Sequence, residues 1–227
     1  MGDAYEVRQG DCLDLMHKMP IASVDAVIAD PPYMINTKSD GMGKLDPWAD
    51  YMNAAYWYAE LLRAIRRVLS PNGAAWVFMN WRGLTTLNKA SCEARWPIGS
   101  VLTWAKDWPG TGNLLRSSSE LVCLFVGDDF KMPRHDLLDV QTFKPVPTAQ
   151  RVHPAQKPTE LLRFLIEAVC PGGGIVLDPF AGSGSTGVAC AETGRRFVGM
   201  EMTDRYHEVA SRRVAESYAQ QRLDLGI

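Results

Sequence analysis

Four consecutive residues, Asp30-Pro31-Pro32-Tyr33, combine a carboxylate, a prolyl carbonyl and an aromatic ring on a stiff backbone. They follow the run Val24–Ala29, and because two prolines cannot continue a paired strand, the predicted strand ends at Asp30. These groups suit an exocyclic amine on a ring. Asp30 and the Pro31 carbonyl would accept its hydrogens and localise the nitrogen lone pair. Tyr33 would stack on the ring, a contact that contributes roughly 1–3 kcal/mol of binding free energy. A tight turn followed by a packed tyrosine is the alternative interpretation.

A second carboxylate, Asp178, ends the predicted strand Gly174–Asp178 and precedes a turn of small residues. That turn contains the spacing Gly182-x-Gly184-x-x-Gly187, which lets a ligand approach the backbone closely where a helix begins. Glu201 ends the next predicted strand, where the dinucleotide-binding pattern places an acid that binds ribose. The spacing predicts a cofactor loop and leaves a nicotinamide dinucleotide and S-adenosylmethionine both open.

The charge of Asp178 distinguishes these two cofactors. A pyrophosphate binds at the positive end of a bare helix N-terminus, and a carboxylate beside that point would repel the phosphates. The same carboxylate suits a ligand with an ammonium group, and S-adenosylmethionine carries both an ammonium and a sulfonium. The residues therefore favour S-adenosylmethionine as the cofactor.

The elements that position these carboxylates alternate between strand and helix. Apolar residues at helical spacing predict a helix over Tyr51–Ser70, which Pro71-Asn72-Gly73 separates from a strand over Ala74–Met79. Further predicted elements are strands at Ile98–Trp104, Glu120–Val126 and Arg196–Glu201, and helices at Pro158–Val169, Ser185–Thr193 and Thr203–Gln220. This alternation predicts a doubly wound α/β domain with a mostly parallel sheet. The stretch Gly127–Arg151, with three prolines, is predicted to be an irregular insertion.

Composition limits the class of protein. The chain has 227 residues, 46% hydrophobic and 22% charged, which fits a single globular domain over residues 1–227. Five scattered cysteines without a C-x-x-C pair predict neither a disulfide framework nor a metal site. The sequence has no apolar stretch near the roughly 20 residues of a membrane span and no secretion signal, so a cytoplasmic protein is expected. With a formal charge of −2, nucleic acid would have to be bound by a local basic surface.

Taken together, the motifs resemble those of the DNA amino-methyltransferases, which methylate adenine N6 or cytosine N4. We call the four residues Asp30–Tyr33 the tetrad and the predicted cofactor loop with Gly182, Gly184 and Gly187 the glycine loop. Both are accompanied by matches along nearly the whole chain: Gly10-Asp11-Cys12, Trp104-x-Lys106, Ser119-Glu120, His153-Pro154-x-x-Lys157-Pro158 and Gly199-x-Glu201. Because the tetrad precedes the cofactor loop, the motif order resembles the circularly permuted β class of that family.

The resemblance implies a fold and a role for each matched residue. The implied fold is a Rossmann-like, doubly wound, mostly parallel seven-stranded sheet with one antiparallel strand and both pockets at its C-terminal edge. Asp30, Pro31, Pro32 and Tyr33 would form the catalytic pocket for a base flipped out of the duplex. The implied cofactor-binding residues are Asp11, Cys12, Asp30, Lys157, Asp178, Phe180, Gly182, Ser183, Gly184, Ser185, Thr186 and Glu201. Glu201 would bind the ribose, and Asp11 and Cys12 would flank the adenine.

The activity implied by the resemblance is transfer of a methyl group from S-adenosylmethionine to N6 of an adenine in double-stranded DNA, without a metal. Methylation of cytosine N4 is the nearest alternative, although the cytosine enzymes of the family commonly carry Ser at the position of Asp30. An NAD-dependent or noncatalytic nucleotide-binding protein is a remote alternative.

Candidates for contacts to DNA come from three parts of the chain. The basic residues expected to reach phosphates are Arg82, Lys89, Lys106, Arg116, Lys131 and Arg134. The candidate segment for base recognition is the small insertion at about residues 128–152, with help from the loop Met34–Asp50. Since this insertion has few Arg, Asn or Gln side chains, we expect a short or degenerate recognition sequence. A second subunit could supply further contacts, so a homodimer on DNA is a candidate assembly.

Overall fold

The computed structural model describes residues 4–33, 47–108, 110 and 114–225. Its strands are β1 (Tyr5–Gln9), β2 (Val24–Ala29), β3 (Leu69–Met79), β4 (Ser100–Ala105), β5 (Ser119–Val126), β6 (Val140–Thr142), β7 (Ile175–Asp178) and β8 (Arg196–Glu201). Its helices are α1 (Cys12–His17), α2 (Pro47–Val68), α3 (Leu84–Glu93), α4 (Thr159–Val169), α5 (Ser185–Glu192) and α6 (Asp204–Leu225), with a short 3-10 helix at Thr148–Gln150. The predicted alternation of strand and helix is present along most of the chain.

The strands form one mixed sheet in the order β1-β8-β7-β2-β3-β5-β4-β6. Within the described ranges only β5 runs against its neighbours: it pairs antiparallel with β3 and β4, whereas the other pairs are parallel. The predicted doubly wound, mostly parallel sheet with one antiparallel strand is confirmed. The described chain has eight strands rather than the expected seven, because β6 extends the sheet beside β4 from within the segment predicted to be irregular.

The strand order reverses between β7 and β2. From β2 the chain continues to β3 on one side, and from β7 it continues to β8 on the other. The two strands pair in parallel, with Val27 opposite Leu177, so their C-terminal ends open side by side. In doubly wound sheets, ligands bind at such a switch point, outside the carboxyl ends of the strands. We call this rim, where Asp30 and Asp178 lie, the upper edge, and the opposite rim the lower edge.

Helices cover both faces of the sheet, because strands such as β2 are apolar on both sides. Val27 and Ala29 belong to the hydrophobic core that includes residues of α1, α2 and α3. Ala26 and Ile28 belong to the core that includes residues of α4, α5 and α6. All four side chains are buried, so the strand that precedes Asp30 is packed from both faces.

The segment Pro71-Asn72-Gly73 was predicted to separate α2 from the next strand. That prediction is wrong, because the segment forms a bulge within β3. Leu69 already pairs with β2 directly after α2, and regular pairing resumes at Ala74. The irregularity is confined to the lower edge, and β3 is regularly paired from Ala74 up to Val77 toward the upper edge.

The predicted insertion at residues 128–152 divides between the two edges of the sheet. Because β5 is antiparallel, it ends at the lower edge, where Asp129 donates its backbone N–H to the Pro71 carbonyl at 2.9 Å. β6 then runs parallel to β4 and ends at Thr142, opposite the last residue of that strand. Only the second half of the insertion, about residues 143–152, therefore continues from the upper edge.

Residues 34–46 of the loop Met34–Asp50 lie outside the described residues, so the expected part of this loop in base recognition stays a prediction.

In the described ranges, no helix combines the length and the apolar character that crossing a membrane requires.

Candidate active site

Two carboxylates from neighbouring strands meet at one cavity. Asp30 follows β2 and Asp178 ends β7, and these strands are hydrogen-bonded to each other. A cavity of about 420 Å³ at the upper edge is lined by all four residues of the tetrad and by both carboxylates. This volume is typical of small-molecule sites. The tetrad and the glycine loop, which the sequence separates by well over a hundred positions, thus form parts of one site.

Both carboxylate oxygens of Asp30 accept hydrogen bonds from the protein. Oδ1 accepts the Tyr33 hydroxyl at 2.8 Å. Oδ2 accepts the Lys157 ammonium at 2.5 Å. The two prolines turn the chain so that Tyr33 reaches back to the end of β2, and α4 begins directly after Lys157, with Pro158 at its N-cap position. Asp30 therefore joins the tetrad to the His-Pro-x-x-Lys-Pro motif.

Lys157 is a buried cation in the cavity wall. Its Nζ lies 4.9 Å from the centre of the Phe78 ring and 5.7 Å from that of the Tyr33 ring. Burial disfavours the ammonium, but the carboxylates of Asp30 and Glu120 outweigh it and raise the pKa of Lys157 above its usual value. The side chain therefore stays charged at neutral pH.

Glu120 contributes a third carboxylate to the cavity. Because β5 is antiparallel, its beginning rather than its end lies at the upper edge. Glu120 Oε1 accepts the Lys106 ammonium at 2.5 Å, while Oε2 lies 3.3 Å from the Tyr33 hydroxyl and 3.5 Å from Lys157 Nζ. Burial favours the neutral acid, but Lys157 and Lys106 outweigh it and lower the pKa of Glu120. The sequence showed this residue only as part of a family match, without a role.

Tyr58 of α2 holds the backbone of the tetrad from within the core. It is almost fully buried and donates its hydroxyl to the Pro32 carbonyl at 2.7 Å. Burial, followed by the charge of Asp30, raises the pKa of the Tyr58 hydroxyl, so it remains protonated and can donate. Sequence reasoning missed this residue, because nothing in the helical spacing marks one buried tyrosine as a partner of the tetrad.

Asp178 organises the glycine loop that follows it. Its Oδ1 accepts the Phe180 backbone N–H at 2.8 Å, and its Oδ2 accepts the Thr186 hydroxyl at 2.5 Å. Burial raises the pKa of Asp178 to about 7, against the opposing effect of these two hydrogen bonds. A cation in the cavity would favour the ionised form of this carboxyl.

Two glycines let α5 begin directly after the loop and pack closely on α6. Gly184 has a φ of +77°, which favours glycine, and a Cβ there would lie 3.0 Å from the Cα of Ala210. A Cβ on Gly187 would lie 2.4 Å from Cγ2 of Val214. These close approaches seat the loop against α6.

Glu201, the last residue of β8, holds the same loop from the other side. Its Oε2 accepts the Gly182 backbone N–H at 3.0 Å, and its Oε1 accepts both the N–H and the hydroxyl of Thr203. The His153 ring lies close to Gly182 and packs edge-on against Tyr206, with ring centres 4.3 Å apart. Burial lowers the pKa of His153, so an uncharged imidazole borders the loop at neutral pH.

The structure brings most of the predicted cofactor-binding residues to the cavity wall: Asp30, Lys157, Asp178, Phe180, Gly182, Ser183, Ser185, Thr186 and Glu201. These residues fit S-adenosylmethionine. The buried carboxyl of Asp178 can receive an ammonium, Glu201 offers an acid for ribose hydroxyls, and the loop between them is free of bulky side chains except Phe180.

Three predicted cofactor-binding residues are not on the cavity wall. Gly184 faces α6, as described above. Asp11 uses its side chain to cap α1, where it accepts the backbone N–H groups of Leu13 and Asp14. Cys12 is buried in the core, and burial raises the pKa of its thiol to about 12. The expected placement of Asp11 and Cys12 beside the cofactor adenine stays a prediction.

Four candidate DNA-binding residues belong to elements that begin or end at the upper edge, although Lys89 lies in the middle of α3. Arg82 follows β3 and packs over the exposed Trp81 ring at 5.1 Å. Arg116 precedes β5 and is exposed, as is Lys89 on α3. Lys106 differs from these, because it lines the cavity and is paired with a carboxylate there.

The other two candidates, Lys131 and Arg134, lie in the half of the insertion that follows β5 at the lower edge. Arg134 is exposed and forms a 2.6 Å ion pair with Asp136. In the same half of the insertion, Asp128 pairs with Arg66 near the end of α2. The structure does not bring Lys131 and Arg134 to the cavity.

Comparison with known proteins assigns the family. Residues 24–212 match the N6/N4 methyltransferase family, whose members are described as DNA methylases. This match covers most of the chain, so the protein belongs to the N6/N4 DNA methylase family.

Individual relatives agree with this assignment. The DNA adenine methyltransferase YhdJ of Escherichia coli K12 is 29% identical over an alignment of 259 positions, gaps included, which covers 97% of this chain and 87% of YhdJ. The cytosine-N4-specific PvuII DNA methyltransferase superposes with a TM-score of 0.77 at 16% identity, over 96% of this chain and 94% of that one. The M1.HpyAVI complex with S-adenosylmethionine gives a TM-score of 0.73 at 23% identity, over 92% and 98%. The expected methyltransferase fold and the expected cofactor are confirmed.

Proposed function

We propose that the protein methylates the N6 amino group of an adenine that is flipped out of double-stranded DNA. The observation that carries the proposal is the single cavity in which the Asp30 carboxylate and the cofactor loop face the same space. An acceptor amine on Asp30 and a methyl donor on the loop could be held there in contact, and such positioning supplies much of the rate of a displacement reaction. We expect the protein to act in the cytoplasm, on the nucleoid.

The tetrad would make a weak nucleophile reactive. An exocyclic amine attacks poorly because its lone pair is delocalised into the ring. Asp30 and the Pro31 carbonyl would each accept one amine hydrogen, which localises that lone pair on nitrogen and directs it to the donor. Tyr33 would stack on the base, with its backbone held by the bond between Tyr58 and Pro32. Fixed acceptors in a buried site stabilise developing charge without reorganisation.

The glycine loop would hold the cofactor. S-adenosylmethionine, when bound, supplies an electrophilic methyl group on a positively charged sulfur. Asp178 would accept its ammonium, Glu201 would bind the ribose hydroxyls, and the loop from Phe180 to Thr186 would surround the methionine part. Because Asp178 and Glu201 already accept hydrogen bonds from this loop, they order the loop as well as offering charge.

Adenine is favoured over cytosine by the first residue of the tetrad. The cytosine-N4 enzymes that the sequence resembles commonly carry Ser at this place, whereas this chain has Asp30. The relative YhdJ is named as an adenine enzyme, and the structurally similar PvuII enzyme as a cytosine enzyme. Cytosine N4 is therefore the second candidate, and the base that is modified decides between the two.

The recognition sequence should be short. Only about residues 143–152 of the insertion continue from the upper edge, and each bidentate side-chain contact to a base contributes about 1–3 kcal/mol of discrimination. We expect about two to five defined positions per subunit, extended to a symmetric site if two subunits act together.

The proposal is tested by methylating a mixed-sequence duplex and mapping the modified bases by long-read sequencing. N6-methyladenine in a short context is the expected result, while N4-methylcytosine would establish the second candidate. Asp30→Ala should abolish methylation while S-adenosylmethionine still binds in a calorimeter. Near-normal turnover by Asp30→Ala, or tight binding of NAD in the same assay, would refute the proposed site.

A further inference from the structure

Each oxygen of Asp30 already accepts one hydrogen bond in this structure. Its two oxygens accept the Tyr33 hydroxyl at 2.8 Å and the Lys157 ammonium at 2.5 Å. A target amine on Asp30 would either share an oxygen with the donor already there or displace that donor. The bond from Lys157 is charge-assisted and joins a buried lysine to a partly buried carboxylate, so it is the stronger of the two. The neutral hydroxyl of Tyr33 is the donor that can leave.

The Tyr33 hydroxyl has a second acceptor within reach. Glu120 Oε2 lies 3.3 Å away, compared with 2.8 Å for Asp30 Oδ1. A hydroxyl has one hydrogen, so it can donate fully to only one of the two carboxylates. The distances show that Asp30 is the acceptor in this structure. Since the pKa of Glu120 is lowered by the two lysines, its carboxylate is ionised and able to accept at neutral pH.

Glu120 is itself held in a fixed position. Its other oxygen, Oε1, accepts the Lys106 ammonium at 2.5 Å, and that ammonium lies 5.0 Å from the centre of the Trp104 ring. Trp104 is anchored in turn, because its indole N–H donates to the Phe143 carbonyl at 2.8 Å. These contacts keep Oε2 directed at Tyr33.

We propose that Glu120 is a positioning residue of the methyl-transfer site. When the target amine binds Oδ1 of Asp30, the Tyr33 hydroxyl moves from Asp30 to Glu120. The exchange keeps every polar group of the cluster paired: Asp30 gains an amine hydrogen, Tyr33 keeps an acceptor and Lys157 stays on Asp30. It also keeps the Tyr33 ring oriented while its hydroxyl leaves the space that the amine enters. This inference rests on the proposed function and adds a residue to it.

The test is a cycle of four proteins: the unaltered chain, Glu120→Gln, Tyr33→Phe and the double variant. In Glu120→Gln the side chain keeps its size. Its single carbonyl oxygen would accept the Lys106 ammonium, so its amide NH₂ would face the Tyr33 hydroxyl. Tyr33→Phe keeps the ring and removes the hydroxyl that has to move. Asp107→Asn is the matched control, because it is also an acid-to-amide change, while Asp107 is an exposed residue next to Lys106.

Single-turnover methylation of duplex DNA is measured alongside the dissociation constant for S-adenosylmethionine and the thermal unfolding temperature. Glu120→Gln should slow methyl transfer by about tenfold or more, as expected for a lost hydrogen bond to a charged group, with cofactor affinity within about twofold. In the Tyr33→Phe background, the same substitution should change the rate by less than about twofold. Asp107→Asn should resemble the unaltered chain.

Three outcomes would overturn the inference. Equal slowing by Glu120→Gln in both backgrounds would show that Glu120 acts independently of the Tyr33 hydroxyl. An unchanged rate in Glu120→Gln would show that it has no positioning role, while the proposed function would stand. If the unaltered chain binds S-adenosylmethionine but methylates no base in DNA, the proposed function fails and the inference fails with it.

Discussion

Lys157 and Asp30 are 127 positions apart in the sequence, yet the Lys157 ammonium lies 2.5 Å from Oδ2 of Asp30. This ion pair connects the segment before α4 to the end of β2. It therefore couples the His-Pro-x-x-Lys-Pro motif to the carboxylate that we propose to be catalytic. Because Lys157 is buried and also faces Glu120, the carboxylates of the cavity depend on it for charge compensation.

The first prediction concerns this cation. Lys157→Met should slow methyl transfer by at least about 100-fold, because Asp30 loses the partner that orients it. The same change should lower the free energy of unfolding by about 1–3 kcal/mol, since carboxylates are left in the cavity without their counter-charge. Single-turnover kinetics and urea unfolding measure the two effects. Lys131→Met, at an exposed lysine of the lower edge, is the control, and a Lys157→Met protein with normal turnover would contradict the coupling.

The second prediction follows from Asp178, whose pKa is raised by burial to about 7 from an ordinary value of 3.8. The folded protein holds this proton more tightly than the unfolded chain, so the group's contribution to stability is complete at low pH. That contribution is lost as the pH rises from about 4 to about 7. Asp178→Asn, which cannot ionise, should flatten this part of the stability curve. Urea unfolding at several pH values tests it, and an unchanged slope in the variant would contradict the assignment.

Cofactor binding should respond to pH in the opposite sense. An ammonium bound beside Asp178 favours the ionised carboxylate, so the affinity for S-adenosylmethionine should rise as the pH passes through about 7, with release of a proton. Asp178→Asn should weaken binding by at least roughly tenfold, or about 1.4 kcal/mol. Calorimetry in buffers with different ionisation enthalpies detects the proton. Proton-independent binding by the unaltered chain would argue against an ammonium at Asp178.

The fourth prediction tests the packing beneath the glycine loop. Gly187→Ala would place a Cβ 2.4 Å from Val214 Cγ2 and 2.7 Å from Cε1 of Phe197. We expect a loss of about 1–3 kcal/mol in the free energy of unfolding and weaker binding of S-adenosylmethionine, because the loop must shift. Gly172→Ala is the matched control, since a Cβ there has no heavy atom within 4 Å. Equal melting temperatures of the two variants would disprove the close packing.

The meeting of the tetrad and the glycine loop could be predicted from the sequence, because carboxyl ends of parallel strands share one edge of a sheet. Each motif follows a short apolar run, so the positions of Asp30 and Asp178 at strand ends were readable. The bounds of the elements that were predicted were also close to the observed ones, apart from the bulge that includes Pro71, but β1, α1 and α3 were not predicted.

Features that depend on strand direction and on distant partners could not be predicted. Glu120 reaches the cavity only because β5 is antiparallel, and local residue patterns do not reveal that direction. The three-residue strand β6 is too short to give a periodic signal. Asp11 illustrates a different difficulty: aspartate is a preferred N-cap residue, and a cap and a ligand contact look the same in sequence.

The last prediction separates the two edges of the sheet by their effect on DNA binding. Arg82 and Arg116 belong to the upper edge, next to the cavity, whereas Lys131 and Arg134 belong to the lower edge. Each phosphate contact that is removed should reduce the slope of log affinity against log salt by about one. Arg82→Ala and Arg116→Ala should therefore weaken binding of a short duplex and flatten its salt dependence. Lys131→Ala and Arg134→Ala should leave both unchanged. Fluorescence anisotropy across a salt series measures this, and a larger effect at the lower edge would mean that DNA does not approach from the side of the cavity.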